Sequence, residues 1–262
     1  MIRALMTAAS GMKAQQMQVD TIANNIANAN TSSFKKSELS FRSMLYQTYR
    51  EPGAVTAGEQ RTPTGLQVGT GTEVSGSSKI FQQGELEPTG GQFSLAIQGE
   101  GFFRIQMPNG EYRYTRDGDF HRDANGSLTT AEGYLLDGAP QIGQDVISVT
   151  IGEDGTFSTL ASEGGTPTTA GQLQLWRFPN PAGLKAQGGN YYTETGSSGP
   201  AASSVAGQTG TGVLKQGYRE RSNVQVVDEL VSLILAQRNY EVNSRAIRAS
   251  DEMLQQVNQM VR

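Results

Sequence analysis

The chain has no cysteine and a single histidine, His121, among its 262 residues. Without thiols it can form neither disulfide bonds nor thiolate zinc sites, and it has no cysteine nucleophile. A Ser–His–Asp relay would have to use His121, yet no Gly-x-Ser-x-Gly motif accompanies it. Phosphate-binding loops of the Gly-Lys-Ser/Thr type are also missing. We therefore expect neither an enzymatic activity nor a bound cofactor.

Long apolar runs and concentrations of positive charge are missing as well. The net charge is −4, and Lys35-Lys36 is the only adjacent basic pair, so no nucleic-acid partner is expected. The most apolar run, residues 230–236, is far shorter than the 18 or so residues of a membrane span. After Arg3 the apolar run is interrupted at Thr7 and then continues with a helical period, so we expect no cleaved signal peptide.

Both ends of the chain carry an apolar stripe with a helical period. Near the N-terminus the stripe recurs at spacings of three and four, broken at Gln15, and consists of Leu5, Ala8, Met12, Val19, Ile22, Ile26 and Ala29. Near the C-terminus every seventh residue is apolar, with three more beside them: Val226, Leu233, Tyr240, Ile247, Leu254 and Val261, then Leu230, Ile234 and Val257. These patterns predict two helices about 45–60 Å long. A small β body could not cover them, so their stripes should face each other or the same stripes of other copies.

The other side of the N-terminal helix is polar but uncharged. It carries Thr21, Asn24, Asn25 and Asn28, whereas a solvated helix face is usually rich in Lys and Glu. An amide-rich face suits a helix that is packed on several sides and meets partners through hydrogen bonds. The helix is expected to end near residues 30–33, where Asn-Thr-Ser-Ser side chains compete for backbone hydrogen bonds.

Between the helices the sequence is rich in glycine and in turn signals. Residues 46–78 contain prolines and glycines with little periodicity, which predicts an extended arm. Further on, strands are predicted at residues 93–97, 102–107, 112–115, 134–136, 146–151, 156–160 and 173–178. Tight turns are predicted at Asn109-Gly110, Asp117-Gly118, Asn125-Gly126, Asp137-Gly138 and Asp154-Gly155. The sequence thus predicts an α+β fold: paired long N- and C-terminal helices forming a coiled-coil-like inner domain (1–45 and 219–262), an arm (46–78) and a central antiparallel all-β domain (79–218).

One segment has the spacing of a calcium-binding loop. Asp123, Asn125, Gly126 and Glu132 fit positions three, five, six and twelve of an EF-hand. His121 occupies the first ligand position, however, and is a poor ligand for a hard cation. The flanks are also strand-like where an EF-hand requires helices. We therefore interpret the segment as a hairpin that turns at Asn125-Gly126, with no metal site.

Three groups of motifs occur at the two ends and in the middle of the chain. The N-terminal group is Ser10-Gly-Met-Lys-Ala-Gln-Gln16, Asp20-Thr-Ile-Ala-Asn-Asn-Ile-Ala-Asn28 and Thr31-Ser-Ser-Phe-Lys35. The C-terminal group is Gln216-Gly-Tyr218, Glu220, Ser222-Asn-Val224, Glu229-Leu-Val231 and Ala236-Gln-Arg-Asn-Tyr-Glu-Val-Asn-Ser244. The central group is Gly99-Glu-Gly-Phe-Phe103 and Tyr114-Thr-Arg-Asp-Gly118. Together they resemble the bacterial flagellar rod and hook proteins. Ser33 departs from this family, which usually has glycine there, so the local turn is the one place where we expect a difference.

The resemblance implies a helical tubular assembly with the terminal helices inside and the β domain outside. It implies as partners further copies of the chain, the proximal rod and hook proteins, the peptidoglycan- and outer-membrane-ring proteins, and the flagellar export apparatus. It also implies a place in the basal body, spanning the periplasm, after export without a cleaved signal peptide. The chain length and residues 46–54 favour the distal part of the rod, which transmits motor torque to the hook.

In such a tube the terminal helices would supply the contacts between subunits. The apolar residues expected in the inner tube are Leu5, Met12, Ile22, Ile26, Leu233, Tyr240, Ile247 and Leu254. The residues expected to lock subunits through hydrogen bonds are Asn24, Asn25, Asn28 and Gln237.

A different class of protein stays open from the residues alone. A secreted β-domain adhesin or carbohydrate-active protein could oligomerise through its terminal helices. Asp117, Asp119 and Asp123 could supply the two carboxylates that a glycosidase needs, about 5–10 Å apart. They lie among turn signals, where Asp favours turns. Filaments in electron micrographs would indicate the rod subunit, and discrete particles the alternative.

Overall fold

The computed structural model describes residues 2–52, 64–161, 166–208 and 210–260. The chain divides into two compact units. Unit 1 comprises Met1–Ala27, Ser37–Ser78 and Gln225–Arg262, and unit 2 comprises Asn28–Lys36 and Lys79–Val224. Within the described ranges no helix is both long and apolar enough to span a lipid bilayer.

Unit 1 contains two antiparallel helices, α1 (Ile2–Ala27) and α2 (Val226–Met260). Near the end of α1, Asn25 Nδ2 donates a hydrogen bond of 3.3 Å to Glu229 Oε2, near the start of α2. Nearer the start of α1, Gly11 lies against Asn243, and a Cβ added at Gly11 would be 2.9 Å from Asn243 Nδ2. Because residue 25 meets 229 and residue 11 meets 243, the helices run in opposite directions. The same register places the first residue of α1 opposite residue 252, so the last two turns of α2 extend past α1.

The helix boundaries differ slightly from the sequence expectation. α1 ends at Ala27 rather than near residues 30–33, because side chains of the following turn bond to one another: Thr31 Oγ1 donates to Asn28 Oδ1 at 3.1 Å. At the other end, residues 218–220 form a strand and α2 begins only at Val226.

The strands of unit 1 pair with one another. They are β1 (Ser37–Ser43), β2 (Tyr46–Arg50), β3 (Leu66–Gly69) and β4 (Thr72–Lys79). β1 pairs with β4, and β2 pairs with β3 in antiparallel register. The described part of the predicted arm (46–78) therefore contains strands that pair with one another or with β1. Residues 53–63 of that arm lie outside the described residues.

Unit 2 is an antiparallel β structure of short strands with one 3-10 turn at Pro181–Gly183. Its described strands are β5 (Leu86–Pro88), β6 (Leu95–Gln98), β7 (Phe103–Gln106), β8 (Tyr112–Thr115), β9 (His121–Arg122), β10 (Leu128–Thr129), β11 (Leu135–Leu136), β12 (Ser148–Ile151), β13 (Thr156–Leu160), β14 (Thr168–Gln172), β15 (Gln174–Arg177), β16 (Lys185–Gly188), β17 (Tyr191–Thr193), β18 (Ala202–Val205), β19 (Val213–Gln216) and β20 (Tyr218–Glu220). The largest sheet has seven strands in the order β16-β17-β8-β7-β11-β10-β9, and β12-β13-β14 form a second sheet. The remaining pairs are β15-β18, β19-β6 and β20-β5, also antiparallel. The α+β class, with two terminal helices and an antiparallel β body, is confirmed.

Glycine turns organise this β body in two ways. Gly110, Gly126, Gly138 and Gly155 have φ between 79° and 83°, which is the left-handed conformation expected of hairpin turns. Gly118 has no positive φ; a Cβ there would lie 1.6 Å from the carbonyl oxygen of Leu95. The fifth predicted turn glycine is therefore required for a close approach of two backbones. The turns enclose a core that includes Leu95, Ile97, Phe103, Leu128, Phe157, Leu173, Leu175 and Leu214, each no more than 1% exposed.

Candidate assembly interface

The face of α2 that packs on α1 is a row of small and polar residues with heptad spacing, which we call the heptad row or packed heptad. Glu229, Ala236 and Ser250 are buried, and Asn243 contacts Gly11. They lie seven residues apart, in the register expected of two helices packed at a small angle. Because Gly11 has no side chain, the Asn243 amide can approach the backbone of α1 there.

Only part of the apolar stripe predicted for α2 lies near the face that packs on α1. Leu233, Ile247 and Leu254 lie beside the buried heptad and are half-buried. Val226, Leu230, Ile234 and Val257 are exposed by 42–50%, and Val261 lies outside the described residues. The packed heptad row could not be predicted from the apolar pattern, because Glu229, Asn243 and Ser250 are polar.

Asn25 has its hydrogen-bond partners inside its own chain. It is 2% exposed, its Nδ2 donates to the Ser37 carbonyl at 3.0 Å and to Glu229, and its Oδ1 accepts from the Ser37 amide at 3.0 Å. Both ends of the amide are therefore used to fix the chain after α1 against the start of α2. The expected role between subunits has no support from this geometry.

The other predicted site residues are distributed over buried and exposed positions. Ile22 is buried, and Leu5, Met12, Ile26 and Asn28 are half-buried. Asn24, Gln237 and Tyr240 are exposed. Their contacts with other subunits stay a prediction.

An exposed apolar surface covers the first three turns of α2 on the side away from α1. We call it the α2 patch; its six residues are 42–73% exposed and are Val226, Val227, Leu230, Val231, Ile234 and Leu235. A helix segment that is apolar all round is normally buried on all sides. An exposed apolar patch of this kind is typical of a surface that binds a protein partner. In the sequence this segment reads Val-Val-Asp-Glu-Leu-Val-Ser-Leu-Ile-Leu, and the predicted stripe included four of its seven apolar residues.

A concave surface of unit 1 lies between α1 and the β1–β4 pair. This groove has a volume of about 600 Å³ and an apolar floor that includes Ala14, Met17, Leu39, Met44 and Val74. Its remaining lining residues are Ser10, Lys13, Thr72, Glu73, Ser75, Gly76 and Ser77. The groove could not be predicted from the sequence, because its lining residues come from three separate segments, residues 10–17, 39–44 and 72–77.

Unit 2 contains a buried cluster of charged side chains. The Lys35 ammonium lies 2.5 Å from Glu220 Oε1, and both side chains are 0% exposed. Lys35 Nζ also donates to the Gln82 carbonyl at 2.7 Å, and Arg116 Nη1 lies 3.7 Å from Glu220 Oε2. Burial lowers the pKa of Lys35, and the charge of Glu220 opposes that shift. Lys35 is therefore buried rather than solvated, and it anchors the segment after α1 inside the β body.

The calcium-like segment is a hairpin in the structure. β9 pairs with β10, Gly126 has φ 79°, and its amide donates to the Asp123 carbonyl at 2.9 Å. The Asp123 carboxylate accepts from the Ala124 amide and from the Asn125 side chain, so it stabilises the turn. Among the described residues, no three His, Asp or Glu side chains lie close enough to hold a metal ion.

Two terminal helices with an exposed apolar face, in a chain whose middle part forms an antiparallel β body, are typical of a structural protein that contacts other protein subunits. Comparison with known families agrees. Residues 5–35 match the flagella basal body rod protein family, residues 96–159 the flagellar hook protein FlgE/F/G D1 domain, and residues 215–260 the flagellar basal body rod FlgEFG protein C-terminal region.

Full-length relatives give the same result. Flagellar basal-body rod protein FlgG of Borreliella burgdorferi is 44% identical, with 100% of both chains covered. The FlgG proteins of Buchnera aphidicola subsp. Schizaphis graminum and Caulobacter vibrioides are each 42% identical, with 99% of this chain covered and 100% and 99% of theirs. The chain belongs to the flagellar basal-body rod protein family, and it is a structural rod subunit with the FlgG-type distal rod proteins as its relatives.

Proposed function

We propose that the chain assembles with copies of itself into the helical tube of the distal rod, which transmits motor torque to the hook. In this assembly α1 and α2 form a coiled-coil-like inner domain, residues 46–78 an arm, and residues 79–218 an outer β domain. The observation that carries the proposal is the α2 patch, because six apolar side chains on one helix face need cover that the chain's own α1 does not give.

The test is assembly of the purified chain. Ile234→Lys combined with Leu235→Lys places two charges in the α2 patch, away from α1. We expect concentrated wild-type protein to form tubes or filaments in electron micrographs, and this variant to stay monomeric in sedimentation experiments. Glu111→Lys, an exposed position in a β turn of unit 2, is the matched control and should assemble normally. Discrete oligomers of the wild type would instead favour an adhesin-like protein.

The family relationship also supports a set of partners. We propose that the rod end contacts the proximal rod and hook proteins, that the outer β domain faces the peptidoglycan- and outer-membrane-ring proteins, and that the chain reaches the periplasm through the flagellar export apparatus without a cleaved signal peptide. Absence of cysteine is compatible with passage of an unfolded chain into an oxidising space. Cross-linking in cells followed by identification of the bound proteins would test each partner separately.

A further inference from the structure

We infer that the groove between α1 and the β1–β4 pair receives the α2 patch of a second copy of this chain. The inference rests on the proposed self-assembly and names its two contacting surfaces. The groove supplies an apolar floor and the patch supplies an apolar helix face, which is the arrangement by which helices bind in hydrophobic grooves.

The α2 patch cannot be covered by the groove of its own chain. The heptad with Glu229 and Ala236 holds the opposite side of α2 against α1. The patch residues Val227, Val231 and Ile234 therefore point away from the helix pair, whereas the groove opens on another side of α1, at Ser10, Lys13, Ala14 and Met17. Both surfaces are left for other molecules.

A contact between two different surfaces of one chain has a specific geometric consequence. A patch that binds the same patch of another copy closes a two-fold dimer and stops. A patch that binds a different surface leaves one free patch and one free groove at the ends, so that the assembly continues as a helix. Only the second arrangement gives a rod, and the groove is the apolar concave surface of unit 1 that the structure offers for it.

The side chains that line the groove are suited to binding an apolar helix face. Met17 and Met44 are 40% and 38% exposed, and their flexible thioethers can adapt to Val, Leu and Ile side chains. Of the two charged side chains that line the groove, Glu73 is paired with Arg42 at 2.5 Å, and Lys13 has the opposite charge to the exposed Asp228 within the α2 patch segment. Complementary charges at the margin of an apolar contact fix its orientation.

Gly76 provides a variant that blocks the groove without disturbing the monomer. A Cβ at Gly76 would meet no atom within 4 Å, and its φ is not positive, so we expect Gly76→Trp to place an indole at the groove without straining the fold. The matched control is Gly143→Trp in unit 2, where a Cβ also meets nothing within 4 Å. We expect unchanged monomer circular dichroism for both, and a rise of about ten-fold or more in the critical concentration for assembly for Gly76→Trp alone. Equal critical concentrations for the two variants would contradict the inference.

Cysteine cross-linking tests the pairing directly, because the natural chain has no cysteine. Gly76→Cys protein and Leu235→Cys protein are mixed under assembly conditions and treated with a short bismaleimide. We expect a two-chain product from the mixture, little from either variant alone, and a ladder from the double variant. Cross-linking of Leu235→Cys with itself only, or assembly without any mixed product, would refute the groove–patch contact and leave self-assembly intact. A wild-type chain that never assembles would overturn both the contact and the proposed function.

Discussion

Single residues in unit 2 connect the segments next to the helices to the β body, and the Lys35–Glu220 pair is the most deeply buried of them. Lys35→Met would leave the Glu220 carboxylate buried with only the Gly84 amide at 2.8 Å and Arg116 at 3.7 Å. Breaking a buried ion pair in this way costs about 3–5 kcal/mol. We expect Lys35→Met to lower the free energy of unfolding in urea by that amount. Lys36→Met, which changes the half-buried neighbour, should lower it by less than about 0.5 kcal/mol. Equal midpoints for the two variants would show that the pair contributes no stability.

Ser33 shows how a non-glycine residue holds a glycine conformation. Its φ is 56°, its amide donates to the Glu220 carbonyl at 2.8 Å, and its Oγ donates to the Arg116 carbonyl at 3.0 Å. The turn that we expected to differ is thus kept in the left-handed conformation by hydrogen bonds.

Two substitutions at Ser33 separate backbone strain from the hydroxyl contact. Ser33→Ala keeps the strain and loses the hydroxyl bond, which should cost about 1–2 kcal/mol. Ser33→Gly loses the same bond and also relieves the left-handed strain, worth about 1–2 kcal/mol. We expect the glycine variant to unfold at higher urea concentration than the alanine variant. The reverse order would show that backbone strain at this position is negligible.

Asp117 makes the stability of unit 2 depend on pH. Burial raises its pKa to about 6, and the charges of Asp119 and Glu132 add to that shift while the Asp119 amide and Arg219 oppose it. An acid with a raised pKa in the folded state stabilises the fold below its unfolded pKa near 4, and that contribution is lost as pH rises through 6. Asp117→Asn should therefore raise the free energy of unfolding at pH 7 by about 1–3 kcal/mol and flatten its slope between pH 4 and 6. The exposed Asp145→Asn control should keep the wild-type slope.

At the scale of elements, two turn glycines that look alike in sequence have different physical roles. Gly118→Ala would drive a Cβ into the Leu95 carbonyl oxygen and separate β6 from the turn that bonds it, since the Leu95 amide donates to the Gly118 carbonyl at 2.8 Å. In Gly110→Ala the added Cβ would meet no atom within 4 Å, but the backbone at this position has a φ of 80°. We expect a loss of about 1–2 kcal/mol for Gly110→Ala and at least twice that for Gly118→Ala in urea unfolding. Similar losses would mean that the backbone near Leu95 relaxes easily.

The helices and hairpins could be predicted because their signals are local. The seven-residue period predicted α2, and Asn-Gly and Asp-Gly pairs placed the turns next to β8, β10 and β13. The burial of Lys35 depends on Gln82, Arg116 and Glu220, which approach it only in the folded chain. The α2 heptad was missed for a related reason: Glu229 is buried by its bond to Asn25, and no local pattern indicates that partner.

At the scale of the whole molecule, we expect the final turns of α2 to contribute to assembly but not to the stability of the monomer. Residues 253–260 extend past the first residue of α1 and include Met253, Val257 and Met260, which are 45–85% exposed. Deleting residues 253–262 should leave the thermal midpoint of the monomer within a few degrees, since Leu254 is the only half-buried side chain among the described residues of this segment, but should weaken assembly. Deleting residues 1–8, which include the buried Ala8, is the control and should lower the midpoint. A truncated α2 that assembles as well as the wild type would show that these turns are dispensable.

The division of the chain into units has a mechanical consequence. The backbone passes between unit 1 and unit 2 at residues 27–28, 36–37, 78–79 and 224–225, which gives four covalent crossings. A shear force applied to one unit is therefore shared among four peptide connections in parallel. A single proteolytic cut at any crossing leaves the other three, so the two units of a nicked subunit stay connected by the chain.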